Sequence, residues 1–129
     1  MKFLITGGAG FIGGNYAHIM TEKYPEDEFI VLDALTYAGN LETLKPLRNR
    51  PNFRFIKEDI CNREKIDELF EKEKFDVVIN FAAETHVDRS VLHPEVFLNT
   101  NIMGVQVLLD ASLKYDVSRF HQVSTDEVY

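Results

Sequence analysis

Apolar residues alternate along the chain between two rhythms. Short runs rich in β-branched and aromatic residues predict strands over 2–6, 29–33, 53–57, 76–81 and 119–124. Between them, three- and four-residue spacing predicts helices over 11–23, 63–73 and 94–115. In the first helix the period falls on Ile12, Tyr16, Ile19 or Met20, and Lys23, and Pro25 stops it. Strand, helix and strand in repetition imply parallel pairing through right-handed crossovers, hence an α/β chain with a doubly wound parallel sheet.

Two stretches depart from that rhythm. Thr36 to Asn52 is a long polar connection with a turn at Tyr37-Ala38-Gly39-Asn40 and one helical turn at Leu41 to Leu47, and connections of this length tend to serve function. The helix after Pro94 is apolar on more than one face: Val96, Phe97, Leu98, Ile102, Val105, Val107, Leu108, Leu109 and Leu113. One stripe can cover the sheet, while the other belongs either to a broad core face or to a second helix or subunit. Gly104 inside it costs about 1 kcal/mol relative to alanine, which a close backbone approach would explain. Glu71-Lys72-Glu73-Lys74 reads as the solvated end of a helix.

Composition narrows the classes. The 129 residues, 45% hydrophobic, suffice for one core but not for a second substrate domain. A net charge of −7 with no basic stripe argues against a nucleic-acid surface, so anionic ligands must be held by local groups. The apolar start is broken at Gly7, so neither a signal peptide nor a membrane span is expected, and the default location is cytoplasmic. Cys61 has no disulfide partner within the chain and reads as a small filler rather than a redox nucleophile. His18, His86, His93 and His121 show no ligand spacing with one another or with Cys61, so no metal site is expected.

The chemistry starts at Thr6-Gly7-Gly8-Ala9-Gly10-Phe11-Ile12-Gly13, between a strand and a helix. Gly8, Gly10 and Gly13 fit the dinucleotide pattern, and Gly7, Gly10 and Gly13 fit its extended spacing. A side chain at the middle glycine would block phosphate oxygens from backbone N–H groups, and one at Gly13 would hold the helix off the sheet. Asp33 stands twenty positions after Gly13 at the end of an apolar run, where a carboxylate can take the adenosine ribose diol. This is the signature of a Rossmann-type coenzyme domain. With Ala34 rather than an arginine beside Asp33, a 2′-phosphate would be repelled, so NAD is expected over NADP.

At the other end, Phe120 to Ser124 runs as a strand into Thr125-Asp126-Glu127-Val128-Tyr129. Carboxyl ends of strands in a doubly wound sheet face the ligand crevice. Two adjacent carboxyl groups there could divide acid and base work if repulsion and burial keep one protonated. Spacing alone favours the plainer reading, a turn whose aspartate caps the next element.

Several segments together resemble the dTDP-glucose 4,6-dehydratases, nucleotide-sugar enzymes of the extended short-chain dehydrogenase/reductase group. They are the glycine turn, Asp33 to Glu42, Glu58-Asp59-Ile60-Cys61, Phe81-Ala82-Ala83-Glu84-Thr85-His86-Val87-Asp88-Arg89-Ser90, Thr100 to Gly104, and Ser124 to Tyr129. The glycine turn is common to the superfamily, whereas the Ala-Ala-Glu and Thr-Asp-Glu runs are specific to the dehydratases. The resemblance implies that Gly7, Gly10, Phe11, Ile12, Gly13, Asp33, Ala34, Leu35, Thr36, Asp59, Ile60, Phe81, Ala82, Ala83, Glu84, Thr85 and Thr100 surround NAD, with Asp59 and Ile60 at the adenine. It implies that Thr85 and Thr125 also touch the sugar nucleotide. In the family's reaction the glucose is oxidised at C4, water is eliminated across C5 and C6, and C6 is then reduced. By motif position Thr125 lies near the C4 oxygen, Glu127 takes the C5 proton, and Asp126 protonates the departing C6 hydroxyl, which leaves poorly without an acid.

Departures from the family pattern are Ala34 in place of a frequent lysine and Thr85 in place of a serine. The family's Tyr-x-x-x-Lys pair lies beyond the Thr-Asp-Glu segment, and Tyr129 does not stand in for it. The expectation is therefore an incomplete coenzyme domain over 1–129, truncated after the fifth strand, without the sugar-nucleotide domain and without turnover, whose full-length form is a homodimer acting on dTDP-glucose. A sugar-nucleotide epimerase or decarboxylase is the nearer rival, but such relatives have a serine or threonine without the Asp126-Glu127 pair. A dinucleotide-binding module without catalysis is the rival of another class.

Overall fold

A computed structural model describes residues 1–8, 11–34, 41–81 and 102–123, without the side chains of Phe11 and of residues 41–43. Five parallel strands, β1 (Lys2–Thr6), β2 (Glu28–Asp33), β3 (Phe53–Lys57), β4 (Val77–Asn80) and β5 (Arg119–Gln122), form one sheet in the order β3-β2-β1-β4-β5. The chain steps outward from β1 through β2 to β3, then returns to the opposite side of β1. That reversal leaves a crevice at the carboxyl ends of β1 and β4, the usual place for a ligand in such sheets.

The strands match the expected positions closely. β4 is shorter than expected because Asp76 and Phe81 bond outside the ladder proper: Asp76 N–H donates to the Lys2 carbonyl at 2.8 Å and Phe81 N–H to that of Thr6 at 2.9 Å. β5 ends at Gln122 rather than 124, with Val123 N–H still donating to the Asn80 carbonyl at 3.2 Å. The connection contains a 3₁₀ helix at Leu41–Leu47, where Leu44 and Leu47 are buried. The expected turn at 37–40 lies outside the described residues.

Helix α1 (Phe11–Lys23) occupies its expected span but turns a different face inward. Ile12 and Ile19 are 64% and 60% exposed, while Gly13, Gly14, Ala17 and Thr21 are buried. Small side chains let the helix backbone sit close to the strands, and the buried Thr21 hydroxyl donates to the Ala17 carbonyl at 2.8 Å. Beneath lie Phe29, Val31 and Ile5, joined by Phe3, Phe55 and Phe81.

The other face is covered by α2 (Arg63–Glu73) and α3 (Gly104–Lys114). Asn62 caps α2 by accepting from Lys65 N–H, and Lys74 ends it in a left-handed conformation with its N–H on the Phe70 carbonyl. Ile66 and Phe70 from α2 and Val107, Leu108 and Ala111 from α3 enclose Leu4, Ile30, Leu32 and Val78. Each of these side chains larger than alanine contributes roughly 1.5–3 kcal/mol when fully buried. Arg63 with Asp110 (2.8 Å) and Lys114 with Asp67 (3.0 Å) tie the two helices together at the surface.

Of the helix expected over 94–115, residues 94–101 lie outside the described residues. Where the helix is described, its two-faced character is plain. Val107, Leu108 and Ala111 are buried, and Ile102, Leu109 and Leu113 form an outward stripe, 56%, 41% and 80% exposed. Among the described residues no helix is long and apolar enough to cross a membrane, and no group of three or more His, Cys, Asp or Glu gathers.

Candidate functional site

Four of the predicted site segments leave the same edge of the sheet in spatial order. Asp59 and Ile60 follow β3, Asp33 and Ala34 end β2, Gly7 ends β1 and Phe81 ends β4. Backbone hydrogen bonds between neighbours hold them there. Glu58 N–H donates to the Asp33 carbonyl at 3.1 Å, Gly7 N–H to that of Leu32 at 2.8 Å, and Phe81 N–H to that of Thr6 at 2.9 Å.

The glycine turn is built around close approach. Gly7 has φ 71°, a conformation that costs an L side chain about 1–2 kcal/mol. A β-carbon on Gly13 would collide with the carbonyl of Gly7, so the first turn of α1 lies directly against the turn. Gly8 has a further role that the spacing did not reveal: a β-carbon there would collide with the Val31 side chain on β2. The first turn of α1 carries no acidic residue, which leaves the positive end of the helix dipole to an anion. Phe11 and Ile12 open that turn, with Ile12 facing solvent. These observations fit a dinucleotide pyrophosphate.

On the β2–β3 side, one oxygen of Asp59 accepts Cys61 N–H at 2.8 Å, which orients the carboxylate. The Ile60 side chain is buried in the core on the α2 face. Burial, with Asp59 beside it, pushes the Cys61 thiol up to about 11, in keeping with a filler rather than a nucleophile. On the β1–β4 side, Phe81 packs its ring 5.4 Å from that of Tyr16. Gly10, Leu35, Thr36, Ala82, Ala83, Glu84, Thr85, Thr100, Thr125, Asp126 and Glu127 lie outside the described residues.

One group at this edge escaped the sequence reading. Thr6, Asn80 and Gln122 are direct register partners on β1, β4 and β5. The Thr6 hydroxyl donates to Asn80 Oδ1, and Asn80 Nδ2 donates to Gln122 Oε1 at 2.7 Å. The available signal was a polar residue near the end of each of three strands.

Comparison with known proteins gives this edge a context. Residues 4–129 match the family model described as GDP-mannose 4,6 dehydratase. The low-salt glycan biosynthesis protein Agl12 of Haloferax volcanii is 50% identical over 129 residues, covering 100% of this chain and 41% of its own length. A crystal structure of a double mutant of the dTDP-glucose 4,6-dehydratase DesIV of Streptomyces venezuelae, with NAD bound, is 42% identical with a TM-score of 0.92, covering 100% of this chain and 41% of that one. The UDP-glucose 4-epimerase of Thermotoga maritima, with UDP-glucose, is 37% identical with a TM-score of 0.87, covering 97% and 38%. The chain thus spans about two fifths of the length of the proteins it matches. With the Rossmann-type sheet, the glycine turn and a family match over residues 4–129, the chain belongs to the GDP-mannose 4,6 dehydratase family of extended short-chain dehydrogenase/reductases.

Proposed function

We propose that the chain forms the coenzyme-binding part of an NAD-dependent dTDP-glucose 4,6-dehydratase. The observation that carries this reading is the common edge on which Asp59, Asp33, Gly7 and Phe81 stand in the order a dinucleotide needs. Asp59 would flank the adenine, Asp33 would hold the ribose diol, the first turn of α1 would take the pyrophosphate, and Phe81 would stand on the nicotinamide side.

NAD, when bound, supplies the reversible two-electron oxidation that the sugar needs at C4 and returns at C6. The chain supplies the rest of the local chemistry. Thr125 holds the C4 oxygen, Glu127 removes the C5 proton acidified by the neighbouring ketone, and Asp126 protonates the C6 hydroxyl as it leaves. These roles rest on motif position. Thr85 meets the sugar nucleotide, and the outward stripe of α3 is the face through which the longer enzyme forms a homodimer. The 129 residues alone bind coenzyme without turnover, because the family's Tyr-x-x-x-Lys pair is not among them.

An epimerase is the second reading, favoured by the fold likeness to the Thermotoga maritima enzyme. Asp126 and Glu127 speak for dehydration, since epimerisation at C4 requires no departing hydroxyl. Titration of the chain with NAD tests the coenzyme part, with saturable binding as the expected result and no binding as the result against it. Joining the chain to the carboxyl-terminal part of a dTDP-glucose dehydratase tests the rest: a 4-keto-6-deoxy product is expected, and a 4-epimer would favour the rival.

A further inference from the structure

Thr6 and Asn80 make an unusual use of buried space, with the exposed Gln122 beside them on β5. They project from the face of the sheet that packs against α2 and α3, since Leu4, Val78 and Phe120, two residues earlier on each strand, belong to that core. Thr6 and Asn80 are both 0% exposed. A buried amide without partners costs several kcal/mol, and an apolar residue would continue the run Val77-Val78-Ile79 without that risk. Instead the polar groups are joined sideways, hydroxyl to amide to amide, across three adjacent strands.

What the chain of bonds joins is informative. Thr6 immediately precedes Gly7 and the glycine turn, Asn80 precedes Phe81 and the Ala82–Thr85 segment, and Gln122 lies two residues before Ser124 and the Thr-Asp-Glu segment. The backbone repeats the linkage in the same place: Phe81 N–H donates to the Thr6 carbonyl and Val123 N–H to the Asn80 carbonyl. β5 has four residues with mostly exposed side chains, and among the described residues its ladder to β4 is its only strand pairing.

We propose that Asn80 is a positioning residue: through Thr6 and Gln122 it fixes the spacing between the strand that carries the coenzyme turn and the strand that delivers the acid–base segment. This rests on the function proposed above for those two segments. Asn80 acts through these neighbours. The two bonds have separable effects. The Thr6 bond secures β1 to β4 and thereby the nicotinamide side of the coenzyme site. The Gln122 bond secures β5 alone.

The test is amide hydrogen exchange by NMR on the 129-residue chain, combined with NAD titration, for Asn80→Leu and Gln122→Leu. Gln122 is exposed, so its substitution leaves the fold intact. Gln122→Leu is expected to speed exchange at Val123 by roughly tenfold, the effect of losing one supporting hydrogen bond, while Gly7 exchange and NAD affinity stay as in the parent. Asn80→Leu is expected to speed exchange at both Phe81 and Val123 and to weaken NAD by roughly tenfold, with Ile5 and Val78 at mid-strand unchanged. A merely structural role would speed all core amides together. Unchanged Val123 exchange in Gln122→Leu overturns the proposal, as does uniform acceleration in either variant, and the first arm decides even if Asn80→Leu does not fold. Failure of the parent chain to bind NAD would count against the coenzyme reading alone, because the exchange pattern needs no ligand.

Discussion

Gly13 stands with its α-carbon so close to the carbonyl of Gly7 that no β-carbon fits between them. The contact sets how deeply the first turn of α1 settles onto the end of β1, and thus where its amides point. Gly13→Ala is predicted to displace the helix start, lowering stability by about 1–3 kcal/mol as overpacking does and weakening NAD by tenfold or more. Thermal unfolding and coenzyme titration on the same preparation check both effects. A substitution that left affinity intact would remove the turn from the coenzyme site.

The proposed placement of the ribose on Asp33, with Ala34 beside it, sets the expected choice between coenzymes. The chain is predicted to bind NAD at least tenfold more tightly than NADP, because a carboxylate at the ribose repels a 2′-phosphate. Replacing Asp33 by serine should weaken NAD and narrow the gap. Parallel titrations at one salt concentration measure it, and equal affinities in the parent chain would refute the ribose assignment.

Glu73 is the buried carboxylate at the opposite end of the sheet, accepting from Arg54 at 2.5 Å and Lys2 at 3.2 Å. The Arg54 hydrogen bond, with help from Lys2, holds its carboxyl below the usual glutamate value of 4.5 against the opposing effect of burial. A carboxylate depressed on folding binds its proton more readily in the unfolded chain. Its contribution is therefore complete above about 4.5 and is lost as pH falls through the lower folded value. Glu73→Gln is predicted to lower stability by about 1–3 kcal/mol at pH 7, discounted because Arg54 is half exposed, with the difference from the parent shrinking below pH 4.5. Urea unfolding across that range measures it, and a pH-independent difference would contradict the ion-pair account.

Cys61, raised to about 11 chiefly by burial, is predicted to be a neutral thiol at pH 7.5 and to react with alkylating reagents at least tenfold more slowly in the folded chain than in urea. Equal rates would show a thiol far more open than this packing allows.

Leu113, 80% exposed on α3, can be changed with little effect on the fold. Leu113→Glu is predicted to shift stability by no more than about 0.5 kcal/mol, yet to weaken self-association of the full-length enzyme. Sedimentation of the two forms separates the effects, and an unchanged dimer would move the interface elsewhere.

The sequence by itself determined the order and kind of the elements. β1, β3, α1 and α2 fall at the expected residues because short β-branched runs and three- to four-residue spacing are local properties that survive folding. It also marked the glycine turn, where the structure shows a positive φ at Gly7 and no room for a β-carbon at Gly13. The tertiary structure alone decided which face of α1 is buried. Ile12 and Ile19 carry the apolar period, but the sheet accepted Gly13, Ala17 and Thr21, because close packing rewards small size as well as hydrophobicity. It alone assembled Thr6, Asn80 and Gln122 as well. Their meeting depends on strand order and register, which follow from contacts between residues as far as 74 positions apart and leave no trace in any local window.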